Sequence, residues 1–183
     1  MSKPAKKVTK GYLERAALHY LGRFSATEAH LRQVLERKVR RRNEGNEPAS
    51  AEQLNWIAAV AQKCVRMGYV DDELYARSRF ESLLRKGKAK RLIQQDLQHK
   101  GVPAEIIRNI LAEAEDDPDV DLNLSAAAAY IKRRRFGAFR RADRMSEEKI
   151  EKEKASMMRA GFSYGIISRL LESTEEEVLA LLP

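Results

Sequence analysis

A chain of 183 residues is long enough for one or two apolar cores, and 43% hydrophobic residues with only nine Gly and five Pro exclude a disordered or collagen-like polymer. Thirty-five Lys and Arg against 27 Asp and Glu give a net charge of +8, which favours polyanionic partners without bearing on the fold. A single cysteine, Cys64, excludes an internal disulfide and a cysteine-based zinc cage.

The first residues, "MSKPAKKVTKGYLERAA", carry lysines but no following apolar run, so no secretory signal is expected there. No stretch reaches the ~18 consecutive apolar residues of a membrane-spanning helix. These features predict a soluble cytoplasmic protein.

Apolar residues recur at helical spacing along nearly the whole chain, and strand-like alternation is absent, which predicts an all-α fold. After a basic tail over 1–10, the first helix runs through Tyr12, Leu13, Ala16, Ala17, Tyr20 and Leu21. The second, "SATEAHLRQVLERKV", places Ser25 three residues before Glu28, a capping-box spacing, and has Leu31, Val34, Leu35, Lys38 and Val39 on its buried face. "RRRNEGNEPAS" then reads as a loop. A third helix from about Glu52 to Met67 carries Leu54, Trp56, Ile57, Val60, Ala61 and Cys64, and stops at Gly68.

The second set opens at "YVDDELYARSRFESLLRKG", with Asp71 or Asp72 as cap and Leu74, Tyr75, Phe80, Leu83 and Leu84 inside. "KAKRLIQQDLQHKG" buries Leu92, Ile93 and Leu97 and stops at Gly101, and Pro103 suits the first turn of the next helix. An acidic joint, "EAEDDPDVD", leads to the third set. There "LNLSAAAAYIKRRRFGAF" is followed by a polar helix whose buried candidates are Ile150, Met157 and Met158. "FSYGIISRLLES" comes next, and a short last helix is expected at "TEEEVLALLP", with Thr174 and Glu177 at capping-box spacing.

Residues 100–113, "KGVPAEIIRNILAE", superpose on 160–173, "AGFSYGIISRLLES", at an offset of 60. Gly101 meets Gly161, Val102 meets Phe162, and Ile106, Ile107, Ile110 and Leu111 meet Ile166, Ile167, Leu170 and Leu171. A shift of 62 sets Ser25, Leu31, Leu35 and Lys38 over Gly87, Ile93, Leu97 and Lys100. Three tandem three-helix repeats follow, over 11–69, 70–117 and 118–183, the last including the short terminal helix. A single bundle with accidental similarity is the alternative.

No catalytic constellation survives inspection of spacing. His19, His30 and His99 are scattered and fit no metal-ligand pattern, so neither a metal site nor a cofactor site is expected. "RKGKAKR" imitates the end of a phosphate-binding loop, but Ser82 stands where that motif needs glycine. Cys64, on an apolar stripe, reads as a buried thiol. An enzyme is not expected.

The cations do cluster. Arg37, Lys38, Arg40, Arg41 and Arg42 form one group, and Arg85, Lys86, Lys88, Lys90 and Arg91 a second. Lys132, Arg133, Arg134, Arg135, Arg140, Arg141 and Arg144 form a third. These seventeen residues, about half of all Lys and Arg, fall within 26 positions. One charged turn is an ordinary hydrated face, but three at comparable places in three repeats predict an interrupted stripe for a polyanion or an acidic protein, one that would hold mostly phosphates without reading sequence. Phe136 and Phe139 beside the third group are candidates for base stacking, with core packing the expectation for at least one of them.

"ALHYLGRFSATEAHLRQVLERK", "GYVDDELYARSRFESLLRKGKAKRLIQQDLQHKGVPAEIIRNIL" and "RAGFSYGIISRLL" together resemble the bacterial RecX regulatory proteins over roughly residues 12–172. The specific part is Gly68-Tyr69-Val70-Asp71-Asp72 followed by the Lys100-Gly101-Val102 junction. The resemblance implies three tandem three-helix repeats forming an elongated, curved array. It also implies a non-enzymatic, monomeric modulator of the RecA recombinase that acts in DNA repair and recombination. Such a modulator inhibits strand exchange, ATP hydrolysis and co-protease activity by lodging in the groove of the RecA–DNA filament or blocking its growth. DNA, single- or double-stranded, is the secondary contact, and a membrane is not expected. The residues alone leave open a general DNA-binding helical protein with a helix-turn-helix-like repeat, or a scaffold indifferent to nucleic acid.

Overall fold

Helices begin in this chain where an oxygen reaches their first free amides, and several of those oxygens come from distant parts of the sequence. The computed structural model describes residues 7–116, 121–141 and 146–182. Among the described residues ten α-helices and two short 3₁₀ turns, Glu44–Asn46 and Gly137–Phe139, follow one another, and no strand occurs. None of those helices is long and apolar enough to cross a membrane. The chain forms two compact units, Met1–Tyr75 with His99–Pro103, and Ala76–Gln98 with Ala104–Pro183.

In the first unit, α1 (Lys10–Leu21), α2 (Glu28–Arg40) and α3 (Ala51–Arg66) pack on one another. Leu13, Leu31, Leu35, Val39, Ile57, Val60 and Cys64 fill the space between them. Burial pushes the Cys64 thiol up, as an apolar setting should. Trp56 is half-buried against this core, whereas Leu54 in the first turn of α3 is 44% exposed, because periodicity places a residue on a face but does not supply the element that covers it. α3 ends as expected, with Gly68 at φ +71°. Its start is better defined than the loop reading implied: the Ser50 Oγ accepts from Gln53 N at 3.2 Å, and the Gln53 side chain accepts from Ser50 N at 2.9 Å.

The start of α2 departs from the expected Ser25 capping box. Thr27 is the cap, and it is fully buried while Ser25 is exposed. Its Oγ1 accepts from His30 N at 3.0 Å and donates to the Lys100 carbonyl at 2.5 Å. A hydroxyl that both ends a helix and meets a second backbone segment outcompetes one that only ends the helix. Glu28, freed from the capping box, pairs with Arg32 one turn on. Gly101, beside Lys100, has φ +76°, and a Cβ added to it would lie 2.6 Å from Ala29 Cβ. Glycine is required there twice over, by conformation and by space.

Of the two candidate caps for the next helix, α4 (Asp72–Arg85), one serves α4 and the other serves α2. Asp71 Oδ1 accepts from Leu74 N at 2.9 Å and so caps α4 itself. Asp72 Oδ1 accepts from Glu28 N at 2.8 Å, capping α2 from a distance of 44 residues. Leu74, expected inside, is 63% exposed, and Ala76 is buried in its place with Phe80 and Leu83.

In the second unit the chain continues through α5 (Lys90–His99), α6 (Ala104–Ala114), α7 (Leu122–Arg134), α8 (Glu147–Arg159), α9 (Tyr164–Glu172) and α10 (Glu175–Ala180). α7 is buried from Leu122 to Ile131 except for a half-buried Asn123, its alanines letting neighbours approach closely. The turn before α5 exploits this: Gly87 has φ +66°, and a Cβ there would fall 2.5 Å from the Tyr130 backbone nitrogen. Lys90 N, at the start of α5, donates to Asn123 Oδ1 at 3.0 Å. Lys90 lies 62 residues after Glu28, so the amide that opens the middle helix of a set is twice capped by the first helix of the next set. The 62-residue register read from apolar spacing is thereby met by hydrogen bonding. In the third set Ser146 caps α8 locally, accepting from Lys149 N.

The 60-residue echo has one structural cause. Gly101 and Gly161 both adopt positive φ, of 76° and 92°, and Val102, Ile107 and Ile110 are buried like Phe162, Ile167 and Leu170. The Thr174–Glu177 capping box forms as expected. On α8, Met157 is buried and Ile150 half-buried, but Met158 is 58% exposed, and the unexpected buried residue is Glu153.

Replacing Gly87 by Ala should lower unfolding stability by about 3 kcal/mol, combining left-handed strain with a backbone clash, as measured by denaturant titration. Asp72→Ala should cost about 1 kcal/mol through the lost cap, while Asp72→Asn, which keeps an acceptor oxygen, should cost little at neutral pH. Burial pushes the Asp72 carboxyl up despite its bond from Glu28 N, so the folded chain holds that proton more tightly than the unfolded one. Wild type should therefore gain stability relative to Asp72→Asn as pH falls through the raised value, and stop gaining once the unfolded aspartate also protonates.

Candidate polyanion-binding surface

The first basic group arises where α2 ends. Cations in a last helical turn are favoured by the carbonyls exposed there, and Arg37, Lys38 and Arg40 occupy that turn. Arg37, Arg40 and Arg41 are exposed, with Arg40 Nε donating to the Asn46 carbonyl at 3.1 Å. Arg42 lies over the Tyr12 ring at 3.9 Å from its centroid, so its guanidinium is held by a cation–π contact.

The second group surrounds the Gly87 turn. Lys86, Lys88 and Arg91 are exposed, whereas Arg85 stands 3.7 Å from Glu81 and Lys90 pairs with Glu115 at 2.5 Å. The phosphate-loop imitation at this turn is a packing feature: Gly87 is buried against α7 and makes no cradle.

The third group stands at the end of α7 and around the 3₁₀ turn that follows it. Lys132 to Arg135 are exposed at the end of α7, where Arg133 and Arg134 each stand 5.7 Å from the Tyr130 ring centroid. Arg135 closes the helix in the left-handed region, at φ 58° and ψ 52°, where glycine is the usual residue. Phe136 N then donates back to the Ile131 carbonyl at 2.9 Å. Phe136 and Phe139 both pack against the apolar core of this unit, as expected for at least one of them. Burial pushes the Tyr130 phenol up, but hydrogen bonds with Ser156 and Arg134 and the charges of Arg134 and Arg133 outweigh it and leave the phenol below its ordinary value.

Arg140 has a different fate from its neighbours. Its Nε and one terminal nitrogen donate to the two Glu153 oxygens at 2.8 and 2.6 Å, and the pair is almost entirely buried. Glu153 also accepts from Gly137 N at 3.1 Å, so the carboxylate anchors the 3₁₀ turn to α8. These bonds hold the Arg140 guanidinium above its ordinary value. Arg140 is thus a brace, and its charge is spent inside the protein.

Around this brace lies a cleft of about 610 Å³ whose wall includes Arg134, Arg135, Phe136, Arg140 and Arg141. Lys149, Lys152, Ser156 and Arg159 of α8 line the same cleft. Sequence reasoning missed the α8 cations because they are diluted among glutamates. Their spacing carries the signal, since positions 149, 152, 156 and 159 share one helical face. Lys132 and Arg133 lie outside the cleft wall, and Arg144 lies outside the described residues. No group of three metal-ligating side chains occurs among the described residues.

Comparison with known proteins bears on the whole chain. A family model for the second three-helix domain of RecX matches residues 71–111, which include Asp72, the Gly87 turn and Gly101. The regulatory protein RecX of Myxococcus xanthus is 38% identical over 93% of this chain and 90% of its own length. The regulatory protein RecX of Agrobacterium fabrum is 32% identical over 91% of this chain and 85% of its own. A crystal structure of RecX from Lactobacillus salivarius shares the fold, with a TM-score of 0.56 over 93% of this chain and 97% of that one at 20% identity. With the all-helical sets, their repeated caps and glycine turns, and relatives matched nearly end to end, the chain belongs to the RecX family of regulatory proteins.

Proposed function

We propose that this protein is a non-catalytic regulator of the RecA recombinase that binds the RecA–DNA filament and restrains strand exchange, ATP hydrolysis and co-protease activity. Membership of the RecX family is the observation that carries this reading. The repeats, taken as 11–69, 70–117 and 118–183, each supply a basic group, and the filament presents repeated phosphates and repeated protein surfaces. Contacts that are weak singly then reinforce one another through effective concentration. A regulator that fits one filament geometry better than another shifts the filament toward it, by as much as that difference in affinity allows. The protein acts as a monomer in the cytoplasm, with the recombinase as main partner and DNA as secondary contact, and without a cofactor.

Exposed lysines and arginines bind phosphates chiefly by releasing counterions, so the DNA component of binding is independent of sequence and falls steeply with salt. The test is to add the protein to a preformed recombinase–single-stranded DNA filament and follow ATP turnover and filament length. Wild type should lower turnover. Charge reversal at Arg133, Arg134 and Arg135 should raise the concentration needed for half-inhibition by roughly tenfold or more, consistent with losing several charge-assisted contacts. Inhibition should also weaken between about 50 and 200 mM salt. Unchanged turnover with wild type, or tight sequence-preferring duplex binding without recombinase, would overturn the reading.

A further inference from the structure

The cleft beside α8 has a charge imbalance that solubility alone does not demand. Seven cations line it against one carboxylate, Glu153. That carboxylate is buried and committed to Arg140 and to Gly137 N, so it balances one cation and none of the others. Lys152 has an exposed partner, Glu148, at 2.5 Å. Among the described residues, Arg134, Arg135, Arg141, Lys149 and Arg159 have no acidic partner within ion-pair distance. Five such cations around one concavity repel one another unless an anion enters.

Two further features point to a prepared site. The Arg140–Glu153 brace fixes the 3₁₀ turn against α8, and with it the cleft wall that carries Arg140 and Arg141. Arg135, two residues before that turn, holds a left-handed backbone that glycine would adopt at lower cost. An arginine kept in the strained position, with its side chain in the cleft wall, is what a site that needs the cation would show. The volume of about 610 Å³ lies within the range of small-ligand sites, and guanidinium forks match phosphate oxygens in pairs.

We propose that this cleft is a binding site for closely spaced phosphates, of the kind carried by a nucleotide di- or triphosphate or by successive phosphodiesters of a single strand. Arg134, Arg135, Arg141, Lys149 and Arg159 contact the anion, and Arg140 with Glu153 positions them. The site extends the polyanion part of the function proposed above and needs no recombinase.

The experiment uses the full chain alone at fixed low salt, titrated calorimetrically with pyrophosphate, with ATP and with a short single-stranded oligonucleotide, beside thermal melts of every variant. Arg135→Gly should weaken binding roughly tenfold, the loss of one charge-assisted contact, while the melting temperature stays level or rises because the strain is removed. Lys149→Glu with Arg159→Glu should abolish measurable binding. Arg66→Glu, a reversal on an exposed residue of α3 that is not part of the cleft wall, should leave binding within twofold. Binding of pyrophosphate and ATP would identify a nucleotide tail as the source, and binding of the oligonucleotide alone would identify a strand. The proposal is overturned if no probe binds, or if the cleft variants lose no more affinity than Arg66→Glu. Because no recombinase is present, a positive result stands even if filament inhibition fails, and a negative one leaves that inhibition to other surfaces.

Discussion

The structure depends on helix starts that are completed by the following repeat. Glu28 N and Lys90 N open the middle helices of the first two sets, and each would be an unsatisfied amide without Asp72 and Asn123. A cap supplied from the neighbouring set makes the local helix and the tertiary joint one interaction, so neither forms fully without the other. The glycine turns serve the same end. Gly87 and Gly101 let a backbone turn lie directly on α7 and on α2, at distances no other residue permits. A few hydrogen bonds and two absent side chains thus fix the spacing on which the apolar cores then close.

The electrostatics follow a different logic. Most of the ion pairs that tie helices together, such as Arg77 with Glu113 and Lys63 with Glu14, are partly exposed and contribute little individually. Arg140 and Glu153 are the exception, buried and bidentate, and removing either partner would strand a charge in the interior. By consuming the one carboxylate of the cleft, that pair leaves Arg134, Arg135, Arg141, Lys149 and Arg159 unbalanced among the described residues. The same contact that anchors the 3₁₀ turn to α8 therefore leaves the cleft around it positive.

A repeat architecture reconciles these features with a regulatory role. Similar helical sets present similar surfaces in turn, which suits a target that is itself periodic. Departures from similarity then mark the specialised places. The end of α2 and the loop after it carry Arg40 to Arg42 where the later sets have a tight glycine turn, and the third set carries Lys149, Lys152 and Arg159 where, 60 residues earlier, the second has Ala89, Leu92 and His99. Such differences give each set its own contacts without altering how the sets join.

Sequence alone determined a good deal: the all-helical class, the sets of three, the stops at Gly68, Gly101 and Gly161, and the Thr174 capping box. Each rests on local chemistry, periodicity or backbone conformation, which neighbours in the chain suffice to specify. The basic groups were legible too, as composition. Tertiary structure decided which of these residues act together. It chose Thr27 over Ser25 because the Lys100 carbonyl needed a donor, and gave Asp71 and Asp72 different helices. It exposed Leu54, Leu74 and Met158, which periodicity had placed inside. It also withdrew Arg140 into a buried pair and brought the α8 cations into one cleft with Arg134 and Arg135. Burial, pairing and convergence are relations between segments far apart in the chain, so no pattern within one segment encodes them.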